Sequence, residues 1–284
     1  MLEGIYVRFY MKKNISVALV ISTYNSPAYL SLCLRSVAAQ TVLPDEIVIA
    51  DDGSGDETAR VVTGFKREME GLAEVKHIWH PDEGFRKTII LNKAIAAASG
   101  EYIIQVDGDV ILHPDFIKDH CRAAQEGAYI AGSRVNVRPA RTRQVVDTGD
   151  MTLNVFQRGV SNFLNGLRIP LLQRVFASYH SKDIYHARGC NLAHWRSDFL
   201  RINGYNERIT GWGLEDTELI VRLRNAGISP RTLKFGGIMF HLYHKEASRD
   251  RVTKNDMLLK EVVDNRTVRC TEGVDKYLSG VPGN

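Results

Sequence analysis

The sequence predicts an α/β protein built on a mostly parallel sheet with helices on its faces, and three observations lead there. Over the first 135 residues, short apolar runs alternate with longer stretches of helical period, which is the pattern of strand–helix–strand units in a covered parallel sheet. Polar residues follow three of the strand-like runs: Tyr24 and Asn25, Asp51 and Asp52, Asp107 and Asp109. Open parallel sheets collect ligands at such strand ends, beside helix N-termini. Finally, 284 residues with 44% hydrophobic content suffice for one large domain or two small ones.

Each element has its own signal. "ISVALVI" (15–21) is a β-branched apolar run. In "SPAYLSLCLRSVAAQ", Ser26 is placed to cap a helix, Pro27 stands at its first position, and Leu30, Leu34 and Val37 share one face. "EIVIA" (46–50) predicts the second strand, followed by the turn "DDGSGDE" and a helix over 56–70. "EVKHIWH" (74–80), a helix over "FRKTIILNKAIAAAS" and the strand "EYIIQV" (101–106) complete the alternation. A helix is expected to begin near Pro114.

The stretch 134–185 is less regular, with Arg138, Arg141 and Arg143 before "VSNFLNGLRIPLLQRVF". The favoured reading is a helix pair packed on the core. The alternative is a surface segment lying on a membrane or an acceptor, with Arg168 and Arg174 reaching polar groups. An amphipathic helix follows "GWGLED", and a charged helical tail closes the chain.

Bulk properties exclude several classes. A formal charge of +4 does not call for nucleic acid, and none is expected as a partner. Cys33, Cys121, Cys190 and Cys270 form no close pair, which removes zinc-type spacing and a disulfide framework. Reduced thiols fit a cytoplasmic protein. No apolar run reaches the roughly 18 to 20 residues of a spanning helix, and "MLEGIYVRFYMKKNIS" lacks a signal-peptide core. Met11, preceding two lysines and a strong strand, is an alternative start.

Four groups carry chemistry. Asp107 and Asp109, one glycine apart at a strand end, repel each other and need a compensating cation or a wet loop. Mg²⁺ or Mn²⁺ would suit these hard oxygen ligands; the alternative is an Asx turn capping the next helix. "ADDGSGDET" is neither GxGxxG nor a P-loop, so Asp52 reads as an acceptor for a base N–H, or as turn chemistry with Asp56 capping the helix. Glu215 and Asp216 open an amphipathic helix, where a general base or simple dipole compensation would place them. Trp212, between two glycines, offers a sugar platform or a core side chain. His241 and His244, three apart, can complete a divalent site together with an acidic turn.

On these residues the chain resembles the inverting family 2 glycosyltransferases, which have the Rossmann-like GT-A fold. "VALVISTYNSPAYLSLCLRSVAAQT", "EIVIADDGSGDET", "LNKAIAAASGEYIIQVDGDV" and "HPDF" carry the likeness over about 15–116. "FLRINGYNE", "GWGLED" and "LYHK" are similar to the carboxyl-terminal region of β-1,4-galactosyltransferases over about 186–246. The resemblance implies that Thr23, Tyr24, Asn25, Asp52, Arg86, Asn92 and Asp107 bind the nucleotide. Gly189, Asn191, Trp212, Gly213 and Glu215 would contact sugar or acceptor, Asp216 would be the base, and Asp109, His244 and His241 would hold Mn²⁺ or Mg²⁺. Arg86 and Lys87 could both meet phosphates. His241 replaces the methionine ligand of the galactosyltransferases, and Leu214 and Thr217 replace a glycine and an acid of their "GWGGEDDD".

The expected activity is metal-assisted transfer of a hexose, with galactose or N-acetylgalactosamine favoured, from a UDP-sugar to a saccharide or lipid-linked saccharide. Bacterial cell-envelope polysaccharide synthesis would be the setting, with peripheral contact at the inner membrane face. The rivals are an inactive nucleotide-sugar-binding module and a nucleotidyltransferase. The expected divisions are an extension (1–14), a nucleotide-sugar half (15–133), a variable middle (134–185), an acceptor and catalytic half (186–246) and a helical tail (247–284).

Overall fold

A computed structural model describes residues 15–179, 183–185, 187–245 and 250–278; the expected extension over 1–14 lies outside them. In chain order the elements begin with β1 (Val17–Thr23), α1 (Pro27–Ala38), β2 (Glu46–Asp51), α2 (Asp56–Glu68), β3 (Glu74–Trp79), α3 (Lys87–Ala97), β4 (Tyr102–Asp107), β5 (Val110–Leu112), α4 (Phe116–Ala123) and β6 (Ala128–Gly132). There follow β7 (Val135–Val137), α5 (Pro139–Thr148), β8 (Val160–Ser161), α6 (Pro170–Gln173), β9 (Leu192–Trp195), α7 (Arg196–Arg201), α8 (Glu215–Asn225), β10 (Ser229–Leu233), β11 (Met239–His241) and α9 (Val252–Asp264). Seven strands form the main sheet in the order β10-β6-β9-β4-β1-β2-β3. Within it β9 alone runs antiparallel to its neighbours, β4 and β6.

Strand β1 shows why the sheet needs cover on both sides. Val17, Leu19 and Ile21 face Leu30 and Leu34 of α1 and Val62 and Phe65 of α2, all buried. Ala18 and Val20 face the opposite layer, which contains Ile90 and Leu91 of α3 and Leu219 and Leu223 of α8. Successive side chains on a strand point to opposite faces, so an unbroken apolar run serves two cores. Pro27 begins α1 as expected, but Ser26 makes no side-chain cap; its hydroxyl donates to the Tyr24 carbonyl instead. Gly55, not Asp56, holds the N-cap position of α2, and the turn before it is closed by the Ser54 N–H donating to Asp51 Oδ1 at 2.8 Å.

A second sheet of four short strands, in the order β5-β11-β7-β8, stands beside the first. It packs Ile111, Val135 and Phe240 against Val145 of α5 and Leu32 of α1. Its antiparallel register sets His241 opposite Val110, next to the Asp-Gly-Asp turn.

The middle segment departs from the expected helix pair. Over 160–176, where that pair is expected, the structure carries only β8, a short 3-10 turn over Phe163–Gly166 and the single turn of α6. Arg168 is not a surface anchor: its Nε and Nη2 bind Asp119 at 2.8 and 2.7 Å, and Nη1 lies 3.1 Å from Asp115. That carboxylate pair fixes the guanidinium to α4, so it is unable to extend outward.

Candidate active site

Register aligns the carboxyl ends of the central strands. Thr23 pairs with Asp51, and Ser22 with Asp107. The two carboxylates after β4 then part company. Asp107 Oδ1 accepts from Ser22 Oγ at 2.7 Å and from Lys87 Nζ at 2.6 Å. Lys87 is the first residue of α3. Burial opposes the charges of this pair. It is outweighed: Asp107 lies below the usual carboxylate range because of Lys87, and Lys87 above the usual amine range because of Asp107, Asp216 and Glu215. Asp107 thus has a cation of its own in Lys87, a partner that the sequence reading did not assign to it.

Asp109 faces the second sheet. Its Oδ2 lies 3.0 Å from His244 Nε2, and Oδ1 lies 3.7 Å from His241 Nε2. One ligand atom from each of the three falls within 4.8 Å of the others. Asp109 Oδ1 is buried without a hydrogen-bond partner, which leaves a costly unmet acceptor. The contact with Asp109 raises the His244 pKa to about 9, while burial lowers that of His241. One carboxylate oxygen and two imidazoles fit a divalent first-row ion better than Mg²⁺, which prefers oxygen.

Opposite stands the first turn of α8. The approach to it is tight: Gly213 has φ +106° and Leu214 φ +73°, a left-handed conformation that costs a non-glycine residue about 1 to 2 kcal/mol. Leu214 packs with Val221, Leu259 and Val262, which offsets that cost. The Gly213 N–H donates to Glu215 Oε2 at 2.9 Å. Burial and then the neighbouring Asp216 charge push the Glu215 pKa up to about 7.

Asp216 is gripped on both oxygens. The Gly189 N–H donates to Oδ2 at 2.7 Å, and Tyr205 Oη lies 3.2 Å from Oδ1. Gln105, wholly buried in β4, places its amide Nε2 2.9 Å from the same hydroxyl. Tyr205 Oη also lies 3.0 Å from Gln105 Oε1, so its single proton has two acceptors, of which the charged Asp216 carboxylate is the stronger. A Cβ on Gly189 would sit 2.5 Å from Asp216 Oδ1, so only glycine permits the grip. Burial raises the Asp216 pKa, against the pull of Lys87 and the Gly189 N–H. Underneath, the fully buried Arg222 binds Glu218 and the carbonyls of Ile202 and Gly204, tying α8 to the turn that carries Tyr205.

The other expected residues divide into two groups. Tyr24 is exposed, with its hydroxyl donating to Asp82 Oδ2 at 2.8 Å. Asn25 has φ +44° and accepts from the Gly55 N–H at 3.1 Å. Thr23 is buried, and its Oγ1 has no hydrogen-bond partner. Trp212 is half-buried between two glycines of positive φ. Asp52 is more occupied than expected, accepting from the Arg86 N–H at 2.9 Å and meeting His80 Nε2 at 2.7 Å. The Arg86 guanidinium binds Glu83 and the Pro81 carbonyl.

Two expectations are corrected outright. Asn92 is 0% exposed, with Nδ2 donating to the Tyr205 carbonyl and Glu207 and Oδ1 accepting the Tyr205 N–H. Asn191 is 1% exposed and bonded to His120, Ser133 and Gly237. Their amides are saturated inside the protein and leave no group for a ligand. Conversely, sequence reasoning passed over Gln105 and Tyr205. The signal was the one polar residue inside "YIIQV", since a buried amide in a central strand demands partners.

A seven-stranded, mostly parallel sheet with polar groups gathered at its strand ends is an open α/β fold with a ligand site at the carboxyl ends of its strands. Residues 18–184 match the family described as Glycosyl transferase family 2, and residues 172–245 match a family described as N-terminal domain of galactosyltransferase. The chain belongs to glycosyl transferase family 2. Validoxylamine A glucosyltransferase of Streptomyces hygroscopicus subsp. limoneus is 28% identical over 224 residues, covering 75% of this chain and 48% of that protein. Chondroitin synthase of Escherichia coli is 24% identical over 240 residues, covering 79% of this chain and 34% of the synthase. The chain therefore spans half or less of the length of these relatives. Among solved structures, S. aureus TarS 1-349 in complex with UDP superposes with a TM-score of 0.64 at 16% identity, covering 93% of this chain and 70% of that one. GalNAc-T7 with UDP, GalNAc and Mn2+ gives 0.64 at 15% identity, covering 88% and 48%. At such identities these likenesses establish the fold. No helix among the described residues is long and apolar enough to cross a membrane.

Proposed function

We propose that this chain is an inverting glycosyltransferase that moves a hexose from a UDP-sugar to a saccharide or lipid-linked saccharide acceptor. UDP-galactose and UDP-N-acetylgalactosamine are the first donors to test, because residues 172–245 match a galactosyltransferase segment. UDP-glucose follows, given the glucosyltransferase relative. Residues 15–133 form the donor half in this reading and 186–246 the acceptor half. The observation that carries it is that Asp216, from α8, lies near the Lys87–Asp107 pair, from α3 and β4, at the carboxyl ends of the central strands.

Asp109, His241 and His244 would hold a divalent ion, which when bound supplies Lewis-acid stabilisation of charge on the departing diphosphate. Asp216 takes the proton of the acceptor hydroxyl as that oxygen bonds to the anomeric carbon. The bond from that carbon to the diphosphate oxygen breaks on the opposite face, the electron pair leaves with UDP, and configuration inverts. Tyr205 and the Gly189 N–H hold the base carboxylate in one orientation. Glu215 binds sugar hydroxyls, and Lys87 offsets part of the negative charge of the acidic cluster as the diphosphate enters.

The test is a thermal-shift panel of nucleotide sugars with and without Mn²⁺. A donor at 100 times its dissociation constant stabilises the folded state by about 2.7 kcal/mol. The expected result is a rise with one UDP-hexose that needs Mn²⁺ and is lost in Asp109→Ala. No shift with any nucleotide sugar, with or without metal, would overturn the reading.

A further inference from the structure

The middle segment exposes more apolar surface than its share of the chain. Fifteen large apolar side chains are exposed among the described residues, and eight of them lie between Phe156 and Tyr185. Leu171 is 89% exposed, Phe156 79% and Val175 70%. Leu171 and Val175 are four residues apart across α6 and the turn after it, so they share a face. Phe156 and Phe163 meet edge to face at 5.3 Å, flanking β8. The segment has its own inward set, since Met151, Leu153, Val155 and Val160 pack on the small sheet. The outward residues are therefore surplus to the core, and a soluble monomer seldom keeps such a concentration without use.

Charge says what covers them. Residues 134–188 contain nine Lys or Arg and three Asp or Glu, whereas the remainder of the chain has 28 and 30. Residues 134–188 thus carry a surplus of six positive charges on a chain whose total is +4; of these charges, Arg168 is already paired with Asp115 and Asp119. Arg158 and Arg174 are exposed beside the apolar tips, and neither has an ion-pair partner among the described residues. Apolar tips among arginines match a lipid interface, where aliphatic ends enter the acyl boundary and guanidinium groups meet phosphate.

We propose that this face binds the surface of an anionic phospholipid bilayer. It adjoins the site: β8 pairs with β7, β7 with β11, and β11 carries His241. Asn165, beyond β8, donates to the Arg134 carbonyl at 2.9 Å, fixing the exposed segment to that sheet. A bilayer held here lies beside the sheet that bears the histidines, which makes the acceptor a lipid-borne saccharide. The lipid contact stands on the surface alone; the acceptor class rests on the transferase reading above.

The experiment is co-sedimentation of the full chain with vesicles of phosphatidylcholine alone or with one-quarter phosphatidylglycerol, with no donor or acceptor present. Binding is expected only to the anionic vesicles and to fall with rising salt. Arg158→Glu/Arg174→Glu should weaken it by about 25-fold or more, from roughly a factor of five for each charge lost. Leu171→Ser/Val175→Ser should weaken it as well, with thermal midpoints unchanged. Equal binding to both vesicle types, or binding to neither, would overturn the proposal. So would a concentration-dependent dimer abolished by the same substitutions, which would assign the face to a protein partner. Because donor binding is scored separately by the Mn²⁺ thermal shift, failure of the lipid contact is distinguishable from failure of the transferase reading.

Discussion

Lys87 Nζ lies 2.6 Å from Asp107 Oδ1, and it is this ammonium that lets an Asp-Gly-Asp turn close a buried strand end. Asp107 is neutralised from α3, while Asp109 turns to two histidines from the other sheet. Adjacent anions are thereby assigned to different cations, the Lys87 ammonium and the His244 imidazolium.

Lys87→Met leaves Asp107 partly buried without its cation. Breaking a buried pair from one side costs about 3 to 5 kcal/mol. With the two side chains 17% and 23% exposed, about 2 to 3 kcal/mol is expected by urea unfolding. Lys87→Arg should retain most of the stability, and Lys87→Met/Asp107→Asn should be more stable than Lys87→Met alone. A double variant no better than the single one would show that the pair is not the source.

Asp216→Asn should lower turnover by roughly 10² to 10⁴, the usual range for losing a general base, while donor affinity persists. Initial rates with saturating donor check this, alongside calorimetry of UDP binding. Near-normal turnover would remove Asp216 from the base role.

Tyr205→Phe removes a hydrogen bond from the charged form of Asp216 and leaves the Gln105 amide with only the Gly189 carbonyl, at 3.3 Å. A hydrogen bond to a charged group contributes about 1.5 to 3 kcal/mol, so turnover should fall about tenfold to a hundredfold with the donor KM unchanged. Losing that donor raises the base pKa. The acid limb of the pH–rate profile should therefore move upward, which a purely structural loss would not produce.

Glu215 carries a pH signature. Its carboxyl titrates near 7 in the folded protein against an ordinary value of 4.5, so the native state binds the proton more tightly. Its stabilising effect is full below about pH 4.5 and is lost as pH rises through about 7. At 1.36 kcal/mol for each pH unit, the span is about 3 kcal/mol at most, because Asp216 shares the titration. The unmodified protein should show a decline in thermal midpoint between pH 5 and 8, which Glu215→Gln should flatten. An identical slope in both would place the titration elsewhere.

Local signals were enough to predict β1 to β4 and α1 to α4, but not β5 or β6. "ISVALVI", "EIVIA" and "EYIIQV" could bury only as central strands, and Pro27 marked the start of α1 in advance. The carboxylates of the candidate site were visible too, because charged residues at the end of an apolar run contradict their surroundings. Asn92 and Asn191 read as ligand contacts because an asparagine in a motif looks the same whether it faces solvent or the core. The middle segment read as a packed helix pair because apolar content does not say which residues face outward.

Sequence by itself determined the layered α/β architecture, the family and the cast of acidic and histidine residues, since these follow from period, composition and motif along the chain. Tertiary structure alone decided who meets whom: Lys87 with Asp107, Tyr205 with Asp216 across 11 residues, and Gln105 with Tyr205 across 100. The physical reason is that hydrogen bonds and ion pairs depend on ångström distances between groups far apart in the chain. Those distances exist only once two sheets and a buried Glu218–Arg222 pair have fixed α8 against the strand ends.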